Sequence, residues 1–188
     1  MDSSDLTDLT NVTANGKISS NDPGNLPGAL FIKELGSVFV DALTEVISKV
    51  SGFMFEDIGS ETNGADELNG DVHFDGMIGI MSLNAGKKNI MIFLSAKEND
   101  MRVICSYMSG LAQNEILKDD MYDTLGELVN MTAGNVKLRI GEVNYTFALS
   151  LPFAINGENM SIITKKRVNI FSKVLGNGEI SVKLKIVY

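Results

Sequence analysis

Asp123-Thr124-Leu125-Gly126-Glu127-Leu128-Val129-Asn130, continued by Met131-Thr132-Ala133-Gly134-Asn135, is the stretch on which the fold turns. Earlier in the chain, Asp41-Ala42-Leu43-Thr44-Glu45-Val46-Ile47-Ser48 repeats Asp, Leu and Glu in the same register, and Gly52 stands where Gly134 stands. Each stretch lies in a helical apolar pattern and each is followed by a run of strands, so the match reads as a duplication. The expected architecture is a single α/β domain of α+β type. Two helix-plus-strands halves share one mostly antiparallel sheet, with the long helices packed on it.

Working outward, Phe31, Leu35, Val38, Ala42 and Val46 recur at close to 3.6 residues, which predicts a helix over 30–50, stopped by Ser51-Gly52. Strand patterns follow at 53–59, 71–83 and 89–95, the last two forming a hairpin around Asn84-Ala85-Gly86. Ser95 and Glu98 have capping-box spacing. They open a short helix with Met101, Ile104 and Met108 on one stripe, ended by Gly110. Asp119 and Asp120 suit the N-terminus of the helix that runs on towards Ile140. Strands are then expected at 145–151, 160–164, 168–175 and 180–188, with Gly176-Asn177-Gly178 closing the last hairpin. In the final strand Ile180, Val182, Leu184 and Ile186 alternate with Ser181, Lys183 and Lys185, the pattern of one buried and one wet face.

Residues 1–28 are rich in Ser, Thr, Asn, Asp and Gly and show no amphipathic period, so they read as a disordered or loosely ordered polar tail before a domain spanning 29–188. A formal net charge of -8, with the basic residues scattered, disfavours nucleic acid and anionic membrane as partners. No run is apolar and long enough to span a bilayer or to serve as a signal peptide. Cys105 is the only cysteine and lies among Val103, Ile104 and Tyr107, which makes it a core thiol in a reducing cytoplasm. His73 is the only histidine, so neither a catalytic triad nor a multi-histidine metal site is available, and no metal or cofactor of its own is expected.

Advancing 100° per residue, Tyr122, Leu125, Val129, Thr132, Val136 and Ile140 share the sector that faces the sheet, with Asp123, Glu127, Asn130 and Gly134 roughly opposite. Glu127 and Asn130 are therefore neighbours at i and i+3 on a face that another macromolecule can meet, and Gly134 permits close approach. A Glu-x-x-Asn pair alone is common on solvated helices. Its surroundings carry more: Asp123-x-x-x-Glu127-x-x-Asn130 with the following Met131 to Asn135, and Ser150-Leu151-Pro152 before Asn156-Gly157, resemble the CheC/CheX/FliY phosphatase family. Because Ser48 replaces the Asn in the first copy, the chain is most similar to the single-site CheX type.

That resemblance implies a phosphatase acting on the aspartyl-phosphate of a CheY-type receiver domain, in the cytoplasm. The receiver supplies the phosphorylated Asp, a bound Mg²⁺ and a Lys. Asn130 would orient the attacking water, and Glu127 would pair with the receiver's Lys. Asp123 and Gly134 would belong to the partner-binding face. The resemblance also implies a homodimer formed by joining sheets. Two rivals are a non-catalytic receiver-binding or flagellar-switch-like module of the same fold, and a small-molecule sensor with a pocket lined by Met77, Met81 and Met91.

Overall fold

The computed structural model describes residues 28–59, 71–85, 88–141, 147–163 and 168–188. The polar tail and the first residues of the expected strand 145–151 lie outside them. The first long helix, α1 (Gly28–Ser51), buries Leu35, Val38, Phe39, Ala42, Leu43, Val46 and Ile47, and ends where Gly52 N–H bonds back to the Ser48 carbonyl at 2.9 Å. Next come β1 (Glu56–Gly59), then β2 (Asp71–Ala85) and β3 (Lys88–Ala96), which pair antiparallel as the expected hairpin. The short helix α2 (Glu98–Ser109) leads to the second long helix, α3 (Lys118–Gly141). After it run β4 (Ala148–Leu149), β5 (Phe153–Ile163), β6 (Ile170–Gly176) and β7 (Ser181–Val187).

All strand pairings are antiparallel, in the order β1-β6-β7-β3-β2-β4, with β5 also pairing β2. Outward from the central β7/β3 pair, this order is symmetric. Each half contributes an inner hairpin, and each sends the strand after its long helix to the other half's edge: β1 to β6, and β4 to β2. This exchange joins the two helix-plus-strands halves in one sheet, and β5 is the strand without a counterpart among the described residues.

The three described helices lie on one face of the sheet. They close a core over Met77, Met81, Leu83, Ile90, Ile92, Leu94, Val182, Leu184 and Ile186. Both long helices are seated by a glycine against a large side chain, with the roles reversed. In α1 the glycine is on the helix, since a Cβ at Gly36 would overlap the Phe171 ring of β6. Under α3 it is on the sheet, since a Cβ at Gly79 of β2 would lie 3.0 Å from the Leu125 carbonyl oxygen.

The opposite face carries a smaller cluster of Val72, Phe74, Ile78, Ile80, Phe93 and Val187. Met77 and Met81 belong to the helix-side core, whereas Met91 packs against this second cluster. The three methionines thus lie on opposite sides of the sheet and cannot line one pocket, which removes the observation behind the sensor reading.

Two local expectations fail for identifiable reasons. Ser95 does not cap α2: it is buried within β3, the N-cap residue is Lys97 and no side chain bonds the first turn, although Gly110 does end the helix. The strand expected at 160–164 starts earlier, at Phe153, because β5 runs through Asn156-Gly157 on a bulge, where pairing steps from Phe74↔Met160 to Gly76↔Gly157 and Asn159 takes a φ of 50°. Among the described residues no helix is long and apolar enough to cross a membrane.

Candidate functional site

The helix α3 is anchored at both ends. Asp120 Oδ2 accepts from Leu117 N–H at 2.8 Å, and Asp119 and Asp120 place negative charge in the first turn, where unsatisfied N–H groups favour it. Met121, Leu125, Leu128, Val129, Thr132, Ala133, Val136 and Ile140 are buried, an arc wider than the sequence stripe, while Tyr122 is only half-buried. The hydroxyls in that arc are satisfied: Thr132 donates to the Leu128 carbonyl at 2.7 Å, and Thr124 donates to Cys105 Sγ at 3.1 Å. Cys105 is fully buried in this contact, and a buried thiol packed this way is a core group. His73 stands exposed on β2, within no cluster of ligating groups among the described residues.

Asp123 and Glu127 are exposed, whereas Asn130 and Gly134 are half-buried. Asn130 therefore does not stand fully on the solvent face. Three residues of helix place it about 60° round from Glu127, on the shoulder beside the packed arc. The amide is partly confined as a result, with fewer rotamers than a free surface asparagine has. Among the described residues, Asp123, Glu127 and Asn130 make no side-chain hydrogen bond or ion pair. Gly126 and Gly134 flank the pair, and a Cβ at either would meet nothing within 4 Å. The result is an acid and an amide on a bare helix surface, polar and unsatisfied by the described residues.

The first copy is the opposite case. Glu45 accepts from Lys49, from Arg139 of α3 and, at 3.3 Å, from Asn135 Nδ2, while Arg139 also lies 4.0 Å from Asp41. Hydrogen bonds from Lys49, Asn135 and Arg139 hold the Glu45 carboxyl at about 2, well below its ordinary 4.5. At the position matching Asn130, the Ser48 hydroxyl makes one weak contact among the described residues, to the Met54 sulfur at 3.7 Å. Arg139 and Asn135 escape a reading of the sequence. Their i, i+4 spacing is visible, and Arg139 Nε does donate to Asn135 Oδ1 at 3.0 Å, but the acid they serve lies on another helix. Among the described residues, no group of three or more His, Cys, Asp or Glu side chains could hold a metal ion.

The chain is thus an α+β domain of two helix-plus-strands halves, with an acid and an amide that are unpaired among the described residues on one of its two related helices. A family model described as chemotaxis phosphatase CheX matches residues 76–173, just over half of the chain, and the chain belongs to that family. It is 23% identical over 112 residues to the CheY-P phosphatase CheX of Thermotoga maritima, covering 57% of this chain and 72% of that protein. Its fold is similar to that of CheX from Desulfovibrio desulfuricans, with a TM-score of 0.67, 18% identity, and 82% and 99% of the two chains covered. It is also similar to the CheX of a CheX-CheY-BeF3-Mg²⁺ complex from Borrelia burgdorferi, with a TM-score of 0.62, 17% identity, and 80% and 95% covered.

Proposed function

We propose that this chain hydrolyses the aspartyl-phosphate of a CheY-type receiver domain, using Asn130 to position the attacking water and Glu127 to dock. The observation that carries this reading is that Glu127 and Asn130 have no side-chain partner among the described residues, on a helix face kept bare by Gly126 and Gly134. Membership of the CheX family and the likeness to a CheX seen in complex with CheY support the partner. A cytoplasmic site of action follows from a receiver substrate.

The half-buried Asn130 amide accepts a hydrogen bond from water and holds it in line with phosphorus; being uncharged, it neither repels the phosphoryl group nor removes the proton. Water's oxygen bonds to phosphorus as the bond to the receiver's aspartyl oxygen breaks, leaving inorganic phosphate and a free carboxylate. Such a transfer needs positioning and charge neutralisation more than acid–base chemistry, which suits a chain whose thiol is buried and whose histidine, His73, lies on β2 and not on α3. Mg²⁺, supplied by the receiver, neutralises the phosphoryl oxygens when bound. The exposed Glu127 carboxylate accepts from the receiver's lysine and sets the register of the two proteins. Asp123, one turn before Glu127, adds negative charge to the same docking face, and the bare backbone at Gly134 lets the receiver approach.

Residues 29–188 form the phosphatase domain, with residues 1–28 as an appended tail. The domain dimerises through β5, which among the described residues pairs with β2 alone and exposes Phe153, Ile155 and Ile163. The rival reading, a receiver-binding module without hydrolysis, is separated by one experiment. A CheY-type receiver from the same genome is phosphorylated with acetyl phosphate and Mg²⁺, and phosphate release is followed with and without catalytic amounts of the protein. Acceleration beyond one equivalent is expected; saturable binding without turnover would leave the binding module.

A further inference from the structure

Asp41 and Glu45 stand in the register of Asp123 and Glu127, and their helices hold equivalent places in the symmetric sheet order, yet only one copy is open to a partner. The difference begins at a glycine. Gly52 follows the end of α1, but its counterpart Gly134 lies inside α3, which continues to Gly141. Those additional two turns carry Asn135 and Arg139, and the contacts Asp41–Arg139 and Glu45–Asn135 run in opposite senses along the two helices, which places them side by side and antiparallel. Thus the guanidinium of one half lies on the carboxylates of the other.

We infer that Arg139 is the residue that closes the first copy of the motif to receivers, leaving a latent second docking surface on α1; this rests on the phosphatase reading above. A receiver docks on Glu127 through a cation, so the matching acid must be free to accept one. Glu45 is not free: the half-buried Arg139 binds it from the other helix, with Asn135 Oδ1 holding Arg139 Nε at 3.0 Å, whereas Lys49, the other cation on Glu45, is an exposed i,i+4 partner that solvent screens and an incoming lysine can replace. Arg139 also carries a permanent charge that repels an incoming lysine. A tethered guanidinium acts at an effective concentration of millimolar or above, so an external lysine loses the competition. Ser48 is the second departure, but a half-exposed side chain with one weak contact to Met54 leaves room for an amide. On this account the asymmetry of the molecule comes from a helix extension as well as from the missing asparagine.

The test is built in an Asn130→Ala background, where the working surface is inactive. Ser48→Asn is compared with Ser48→Asn plus Arg139→Gln, reading phosphate release from the acetyl-phosphate-treated receiver. Arg139→Met, which keeps the aliphatic stem, replaces Arg139→Gln if the latter lowers the melting temperature. Ser48→Asn alone should match Asn130→Ala, and adding the Arg139 change should raise turnover about 10-fold, the order expected from freeing one charge-assisted contact. Adding Glu45→Gln should remove that gain. Equal rates for the two variants, or a gain that survives Glu45→Gln, would overturn the inference. Absence of turnover by the unsubstituted protein would instead overturn the phosphatase reading, and the inference with it.

Discussion

The two long helices begin from the same spelling, Asp-x-Leu-x-Glu, and end in opposite physical states. In α1 the acid is held by Lys49, Asn135 and Arg139, whereas in α3 the acid and the neighbouring amide make no side-chain hydrogen bond or ion pair among the described residues. A motif on a helix is a site only when the tertiary structure leaves it unsatisfied. The same residues in the other half hold the fold together.

The largest effect expected on this contrast is at Asn130. Replacing it with Ala should leave folding and receiver binding intact and lower phosphate release by about 10²-fold or more, the loss associated with one positioning contact. Single-turnover kinetics beside a binding titration checks this, and an unchanged rate would end the assignment. Glu127→Ala should act on docking as well, raising the half-saturating receiver concentration about 10-fold because a charge-assisted contact to the partner is lost. The matching Glu45→Ala should leave that concentration unmoved, since Glu45 spends its charge internally.

Two smaller effects concern how the helices are held. Gly79→Val would push on the Leu125 carbonyl, and overpacking of this kind costs about 1–3 kcal/mol, readable as a lowered urea midpoint. The smallest effect is electrostatic. Glu45 titrates at about 2 when folded and near its ordinary 4.5 when unfolded, so its contribution is fully present above 4.5 and is lost as pH falls from there towards 2. Melting temperatures between pH 5 and pH 2 should therefore fall more steeply for the unsubstituted protein than for Glu45→Gln. Parallel curves would mean that the clamp between α1 and α3 adds nothing to stability. The effect stays small because Glu45 is partly exposed and solvent screens it.

Much of this was open to a reading of residues, because it depends on neighbours along the chain. The 3.6 period of Leu35, Val38, Ala42 and Val46, the alternation of Val182, Leu184 and Ile186, and the turn at Gly176-Asn177-Gly178 each specify a local element. The adjacency of Glu127 and Asn130 is equally local, being one turn of helix. Local signals misled where context outweighed them. Ser95 had the spacing of a cap but was drawn into the sheet opposite Ile78 and Lys183, and the strand expected at 160–164 extends back to Phe153 because pairing with β2 carries it through a bulge.

What the sequence determined by itself was the inventory: two related helices, their strands, one acid–amide pair and its absence from the other copy. Only the tertiary structure decided how the halves are joined, with β1 crossing to β6, β4 to β2, and Arg139 reaching Glu45 from the opposite helix. Those contacts join residues far apart in the chain. Periodicity records which face of an element is buried, but not which distant element will bury it.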